Sequence, residues 1–253
     1  MARYELLNNV AHKELRVVTR FGREFGDQVG MVPAFPTEYA ELQREYPIFF
    51  RKEREGGEYQ SVAMLGFDKQ ENLFLQGDHW NASYLPGYVA RGPFLIGFQE
   101  QWDEGELHKK PVIHVDLDHP RISFEEGEPV FLPQGGHSPY LQHITTVLGG
   151  IHDGVEGGKA MFAAFESMGL IQPVKLEVKL DAEHGVDLTG LYGIDRERLA
   201  ALEADKLLAL HRWGFLEGAF LVLASMHNMR RLIAEKQRRL RLQAESGPTV
   251  NAG

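Results

Sequence analysis

The chain has no cysteine among its 253 residues. That absence excludes a disulfide framework, a cysteine-ligated zinc or iron–sulfur centre and a thiol nucleophile together. It accords with a reducing compartment, and the expectation drawn from it is a cytoplasmic protein. A long apolar run is also missing. The longest nearly uncharged stretch, Trp213 to Met226 (WGFLEGAFLVLASM), has 14 residues and contains Glu217, whereas a membrane-spanning helix takes about 20 apolar residues. It reads as a buried helix rather than a transmembrane segment. The opening residues MARYELLNNVAHKELRVV carry charges throughout with no apolar h-region, so no secretory signal is predicted. Positive charge is in deficit: 27 Lys and Arg stand against 36 Asp and Glu, a net −9. Such a balance repels a phosphate backbone and argues against nucleic acid as the partner.

What is present suffices for a core. Hydrophobic residues make up 43% of the chain, with 15 Phe, and a domain of this length buries about three quarters of the surface its unfolded chain exposes. The expectation is one domain over residues 1–253, with residues 1–12 and 243–253 as frayed tails. Charge is unevenly placed, since Arg230 to Arg241 holds six basic residues against one Glu.

Tyr46 to Glu53 and Tyr59 to Phe67 are short runs rich in aromatic or β-branched residues, and Gly56-Gly57 between them permit a tight turn, so they predict a β-hairpin. Asn72 to Gln76 is expected to add a third strand to this meander. Asp78 is read as the cap of a short helix that places Trp80, Tyr84 and Tyr88 on one face, weakened by Pro86-Gly87. Pro93 to Phe98, Pro111 to Leu117 and Pro129 to Leu132 read as further strands. Ser138-Pro139 is a helix start, and Gly149, Gly150, Gly154, Gly157 and Gly158 are expected to interrupt that helix before a second resumes near Lys159. Val174, Leu176, Val178 and Leu180 alternate with polar residues, predicting a strand that pairs with Val186 to Tyr192 across the Asp181 to Gly185 turn. Asp195 caps a short helix, Asp205 starts another, and a long final helix runs from Phe215 to about Leu242. The fold class expected is α+β: an N-terminal antiparallel β meander, central helices, a small second β-ribbon and a long amphipathic C-terminal helix.

The ordered set YPIFFRK, a V-A-x-L-G strand, ENLFL, W-x-A-x-Y-L-P, R-x-P-F-L, VDLDHPRIS, LTGLYGIDRERLAAL and WGFLEGAFLVLASMHNMRRL resembles the SapC family from about Tyr46 to Leu232. The resemblance implies a bacterial accessory of surface-layer or outer-membrane systems, including those with TonB-dependent receptors. It supplies no functional residues to carry over, and the 11 histidines of this chain match no requirement of the family.

Among chemical readings, His114-Val115-Asp116 is the sharpest. H-x-D on a strand puts both side chains on one face and supplies two ligands of a non-haem Fe(II) facial triad. His184 would be the third ligand, and Arg196 or Arg198 would pair with a 2-oxoglutarate carboxylate. The bland reading, a chance pairing in a His-rich and acid-rich chain, is favoured. Gly154 to Ala160 lacks the first Gly and the Ser or Thr of a phosphate loop. Ser61, Ser138 and Ser225 lie outside any G-x-S-x-G. Asp116 with Asp118 and Glu125 with Glu126 read as solvated turn carboxylates.

Trp80, Tyr84, Tyr88 and Arg91 form the candidate binding surface, since rings with polar tips suit recognition. The basic terminal helix is a candidate for docking an acidic partner, an anionic membrane surface or a second copy. The function expected is a non-catalytic accessory protein binding a protein or peptide, without a cofactor. The alternative is an Fe(II)/2-oxoglutarate peptide oxygenase using His114 and Asp116.

Overall fold

The computed structural model describes residues 3–52, 54, 56–103, 106–179 and 185–245. In chain order its strands are β1 (Tyr4–Leu6), β2 (Arg16–Val17), β3 (Met31–Ala34), β4 (Ile48–Lys52), β5 (Tyr59–Met64), β6 (Leu75–Gln76), β7 (His79–Trp80), β8 (Phe94–Asp103), β9 (Glu106–Asp116), β10 (Ile122–Ser123), β11 (Glu128–Pro129), β12 (Ile171–Lys179) and β13 (Gly185–Ile194). Its α-helices are α1 (Tyr39–Leu42), α2 (Gly87–Ala90), α3 (Pro139–Ser167), α4 (Arg196–Ala200), α5 (Ala204–Arg212), α6 (Phe215–Ser225) and α7 (Met229–Glu245). Helices and antiparallel sheets are both substantial, so the fold is α+β. The chain divides into two compact units, Met1–Gln28 with Leu75–Gly157 and Val29–Phe74 with Gly158–Gly253.

The second unit is built on the predicted hairpin. β4 pairs with β5 from Ile48↔Ala63 to Lys52↔Tyr59, and Gly56 takes the positive φ of 76° that the turn demands. Ile48, Phe49 and Phe50 are all fully buried. A strand apolar on consecutive residues is covered on both faces and belongs in the middle of a sheet. There it lies, in the order β12-β13-β4-β5-β3. The expected pairing of β12 with β13 forms, with Leu180 and the turn residues 181–184 outside the described residues, but the ribbon is not a separate sheet: Leu191↔Arg51 and Tyr192↔Phe50 join it to β4.

Rings fill the layer over this sheet. Phe50 meets Phe162 edge-on at 5.0 Å and Phe165 at 6.4 Å, and Tyr59 contacts Phe162 and Tyr192. Tyr39 is wholly buried and hydrogen-bonded to Ser61, and burial pushes its phenol far above its ordinary value. Ser225 is also buried: its Oγ accepts from the Ile48 N–H (2.9 Å) and donates to Val222 O (2.7 Å). The expected long final helix forms from Phe215 to Glu245, passing at that point from α6 through a 3-10 turn at Met226–Asn228 into α7. The turn brings the Asn228 amide onto Gln43 O and Tyr46 O.

In the first unit, β1-β9-β8 form one sheet, β10-β2-β11 another, and β6-β7 a small hairpin. The core gathers Leu15, Val17, Phe94, Val115, Val130, Phe131, Leu141, Ile144 and Leu148. Three expectations fail here. Residues 3–12 are no frayed tail, because Tyr4, Glu5 and Leu6 pair with Asp116, Val115 and His114, and His12 is buried. Asn72 to Gln76 adds no strand to the meander: only Leu75–Gln76 are extended, and they pair with His79–Trp80 around Gly77, whose φ is 62°. The helix from Asp78 does not form either. A turn at Gly77 and a strand at Trp80 replace its start, and Pro86 disfavours helical geometry at Leu85 before it, leaving only the short α2.

The start of α3 is as predicted, with the Leu141 N–H bonded to Ser138 Oγ at 3.1 Å. Its interruption is not. The helix runs unbroken for 29 residues through all five glycines, because Leu141, Ile144 and Leu148 are buried toward one end and Met161, Phe162 and Phe165 toward the other. Tertiary burial overrides the local cost of glycine. A methyl group added at Gly149 or Gly157 would meet nothing within 4 Å beyond its chain neighbours and the backbone of its own helix. Gly149→Ala and Gly157→Ala should therefore each stabilise the protein by about 0.5–1 kcal/mol, measured as a raised midpoint in urea.

Candidate functional site

The strongest polar constellation lies in the first unit, around Arg121. This residue follows β9 in the turn DLDHPR and is 5% exposed; Asp27, 6% exposed, follows a short 3-10 turn ended by Gly26 in the left-handed region (φ 83°). Arg121 Nη2 donates to Asp27 Oδ1 (2.8 Å) and Oδ2 (2.7 Å). Its Nη1 donates to Val18 O (2.9 Å) and Arg20 O (2.6 Å). The Gly22 N–H donates to Asp27 Oδ2. Phe25 and Phe21 flank the guanidinium at 4.9 and 5.4 Å from their ring centres. A planar fork matched to a carboxylate and two carbonyls, closed between rings, is a locked element.

His119 and Tyr140 sit beside it. His119 Nδ1 accepts the Arg121 backbone N–H at 3.2 Å, which leaves the proton of the neutral ring on Nε2. Burial, then the Arg121 charge, lowers its pKa; Asp116 opposes, and Arg91 lowers it further. Burial likewise raises the Tyr140 phenol well above its ordinary value, although Arg121 works against that. Both shifts favour the uncharged form of the group. Both present a fixed O–H or N–H donor.

Trp80, Tyr88 and Arg91 of the sequence-predicted binding residues connect to this cluster, though not as a helical stripe. Trp80, on β7, packs against Phe21 at 5.5 Å between ring centres, and Phe21 in turn covers Arg121. Tyr84 lies half-buried in the turn before α2. The Arg91 guanidinium stands 4.6 Å over the Tyr88 ring and donates to Phe94 O (2.9 Å). Gly92 then turns the chain with φ 52°, and a side chain built there would come within 3.8 Å of Tyr140 Oη and 3.9 Å of Arg121 Cδ. Tyr88 remains 40% exposed. The result is a buried polar centre with a ring and guanidinium surface mounted on it.

His114 and Asp116 do share one face of β9, paired with Leu6 and Tyr4 of β1. Asp116 Oδ1 accepts the N–H groups of Arg3 and Asp118, both at 3.1 Å, so this carboxylate closes a turn. The His114 ring lies over Gly97, where a methyl group would fall 2.9 Å from its Nε2. His184 lies outside the described residues. Among the described residues no group of three His, Asp or Glu is gathered in the manner of a metal site. Arg196 and Arg198 open α4 in the second unit, capped by Asp195 through the N–H groups of Glu197 and Arg198. The glycine-rich segment 154–160 is helical, and Ser61, Ser138 and Ser225 are each held by the bonds described above.

The basic C-terminal helix is largely neutralised within its own unit. Arg231 meets Glu45 at 3.1 Å, and Lys236 bonds Glu71 (2.6 Å) and Asp68 (3.3 Å). Arg239 donates to Asn72 O, Leu73 O and Glu235. Hydrogen bonds from Arg238 and Arg239 bring the Glu235 carboxyl down to about 2. Among the described residues no single helix is long and apolar enough to cross a membrane.

Sequence reasoning missed the Arg121–Asp27 pair. Arg121 stands inside the distinctive VDLDHPRIS segment, but Asp27 is an isolated acid 94 residues earlier with no pattern around it. The chain is thus an α+β protein in which a buried ion pair lies beneath an exposed aromatic surface. The SapC family model matches residues 7–232, and the chain belongs to the SapC family. No curated protein and no solved structure matched in the other two comparisons.

The lowered His119 pKa has a consequence for acid stability. Between the ordinary imidazole value of 6.5 and the lower folded value, the unfolded chain binds the proton more readily, so stability falls as pH drops through that window. His119→Gln should flatten this component, which urea midpoints of both proteins at pH 7.5 and 5.5 would register.

Proposed function

We propose that the protein is a non-catalytic accessory protein that binds a protein or peptide partner linked to outer-membrane transport or surface-layer assembly. The observation that carries the binding reading is the Tyr88–Arg91 pair: a 40% exposed ring under a guanidinium, mounted on a centre whose own charges are already paired. Aromatic and arginine side chains held rigid at a surface are the residues that dominate recognition energetics. The buried groups beneath contribute geometry, since the Arg121 fork and both Asp27 oxygens are engaged. The link to the cell envelope follows from the resemblance to SapC-type accessories.

Selection of a displayed random-peptide library on the intact protein tests the binding reading. Peptides recovered on the wild type should bind Tyr88→Ala at least tenfold more weakly, the effect of losing an interface anchor of about 1.4 kcal/mol or more. Peptides that bind the wild type and Tyr88→Ala equally would remove this surface from the account.

A further inference from the structure

Among the described residues, strand β8 is the edge of its sheet. The Asp116 N–H donates to Pro93 O, whereas Leu117 donates to Arg3 O and Leu7 donates to Ile113 O. Even-numbered residues of β9 therefore turn their backbone groups toward β8. Through the pairs Leu95↔His114 and Gly97↔Val112, odd-numbered residues of β8 face β9, so Phe94, Ile96, Phe98 and Glu100 point theirs outward. At Phe94 the chain closes the edge itself: the Phe94 N–H donates to Arg91 O and Phe94 O accepts from Arg91 Nη1. At Ile96 and Phe98 no described residue supplies a partner.

The other edges are blunted. β3 carries Pro33, and β12 carries Pro173 with a register shift between Val174 and Leu176. β9, where it outruns β1, presents Pro111. From Phe94 to Phe98, β8 has no proline, charge or bulge, and its register with β9 is continuous. Phe98 is 47% exposed with its ring 5.0 Å from that of His152 on α3, and Val155, one turn further along α3, is 42% exposed. An apolar edge without such devices is a strand made to be paired.

We propose that β8 pairs antiparallel with β8 of a second copy of this chain, about Gly97. Charge selects this occupant. The Arg91 guanidinium is held at Phe94 O, at the start of the strand, and Glu100 is exposed toward its end, so antiparallel self-pairing about Gly97, which sets Phe94 opposite the second copy's Glu100, brings each guanidinium beside a carboxylate. Ile96 then exchanges backbone hydrogen bonds with the second copy's Phe98, and Gly97 faces Gly97 in the closer, non-hydrogen-bonded position. Leu95 faces the second copy's Gln99. The two three-stranded sheets become one.

Sedimentation velocity is the test. The wild type should be dimeric at about 100 μM, well above the micromolar range expected of a small interface. Phe98→Pro removes an outward N–H together with the ring and leaves the ladder to β9 intact; it should be monomeric with an unchanged circular dichroism spectrum. Phe98→Lys, which leaves the backbone untouched, should weaken dimerisation at least tenfold and serves if the proline variant fails to fold. Because the chain has no cysteine, Leu95→Cys/Gln99→Cys reports the register: four residues apart, about 13 Å along one strand, the thiols cannot join each other, and mild oxidation should yield a linked dimer. A monomeric wild type, a dimer indifferent to both Phe98 variants, or a dimer that the thiols do not link would each overturn the proposal.

Discussion

Asp27→Ala is expected to lower the unfolding free energy by about 3–5 kcal/mol, because it leaves a guanidinium 5% exposed with no carboxylate to balance it. Arg121→Ala should cost a similar amount, since it strands the Asp27 carboxylate and also takes donors from Val18 O and Arg20 O. The paired replacement Asp27→Leu/Arg121→Met should recover much of that loss, because an apolar pair of similar volume leaves no charge unbalanced. Arg121→Lys should recover little, having no planar fork to span both oxygens and two carbonyls. Urea unfolding followed by circular dichroism measures all four. A loss below about 1 kcal/mol on either single change would place the pair among surface ion pairs of small consequence.

A loss of the same order is expected in the second unit from Phe50→Ala, about 3–5 kcal/mol. Phe50 is fully buried and meets Phe162 edge-on and Phe165 beside it. Its strand also carries the joint between the β4–β5 hairpin and the β12–β13 ribbon, through Tyr192↔Phe50. The cavity left by alanine therefore opens at the place where local and distant strands meet. Phe50→Leu, which retains most of the volume, should cost markedly less. The two variants compared by urea midpoint separate a packing cost from a change in strand propensity: similar losses in both would contradict the packing argument.

Short-range signals in this chain were readable and the long-range ones were not. The β4–β5 hairpin follows from two apolar runs around Gly56, and the starts of α3 and α4 follow from Ser138 and Asp195, whose side chains satisfy the free N–H groups of the first turn. Alternation from Val174 onward announced β12 and its partner. Nothing local indicates that the ribbon joins β4 some 140 residues earlier, because any half-buried edge shows the same period. The glycines of α3 misled for a related reason: their cost is local, while the burial that outweighs it arises at the two ends of a 29-residue helix. Trp80, Tyr84 and Tyr88 share a spacing of four that suggests a helix, yet Gly77 and Pro86 set the backbone there. The candidate surface was legible as a set of residues and not as an arrangement. Asp27, which fixes the centre beneath it, carried no signal at all.

In the proposed division of labour within the first unit, the Arg121 centre holds the structure and the Tyr88–Arg91 surface makes the contact. The most direct measurement is a side-by-side titration and unfolding of Tyr88→Ala and Arg121→Ala, using a peptide selected on the wild type. Tyr88→Ala should lose at least tenfold in affinity while its stability stays within about 0.5 kcal/mol of the wild type, and Arg121→Ala should lose stability first. Undiminished affinity in Tyr88→Ala, together with a peptide-modifying turnover that His114→Ala abolishes, would contradict it.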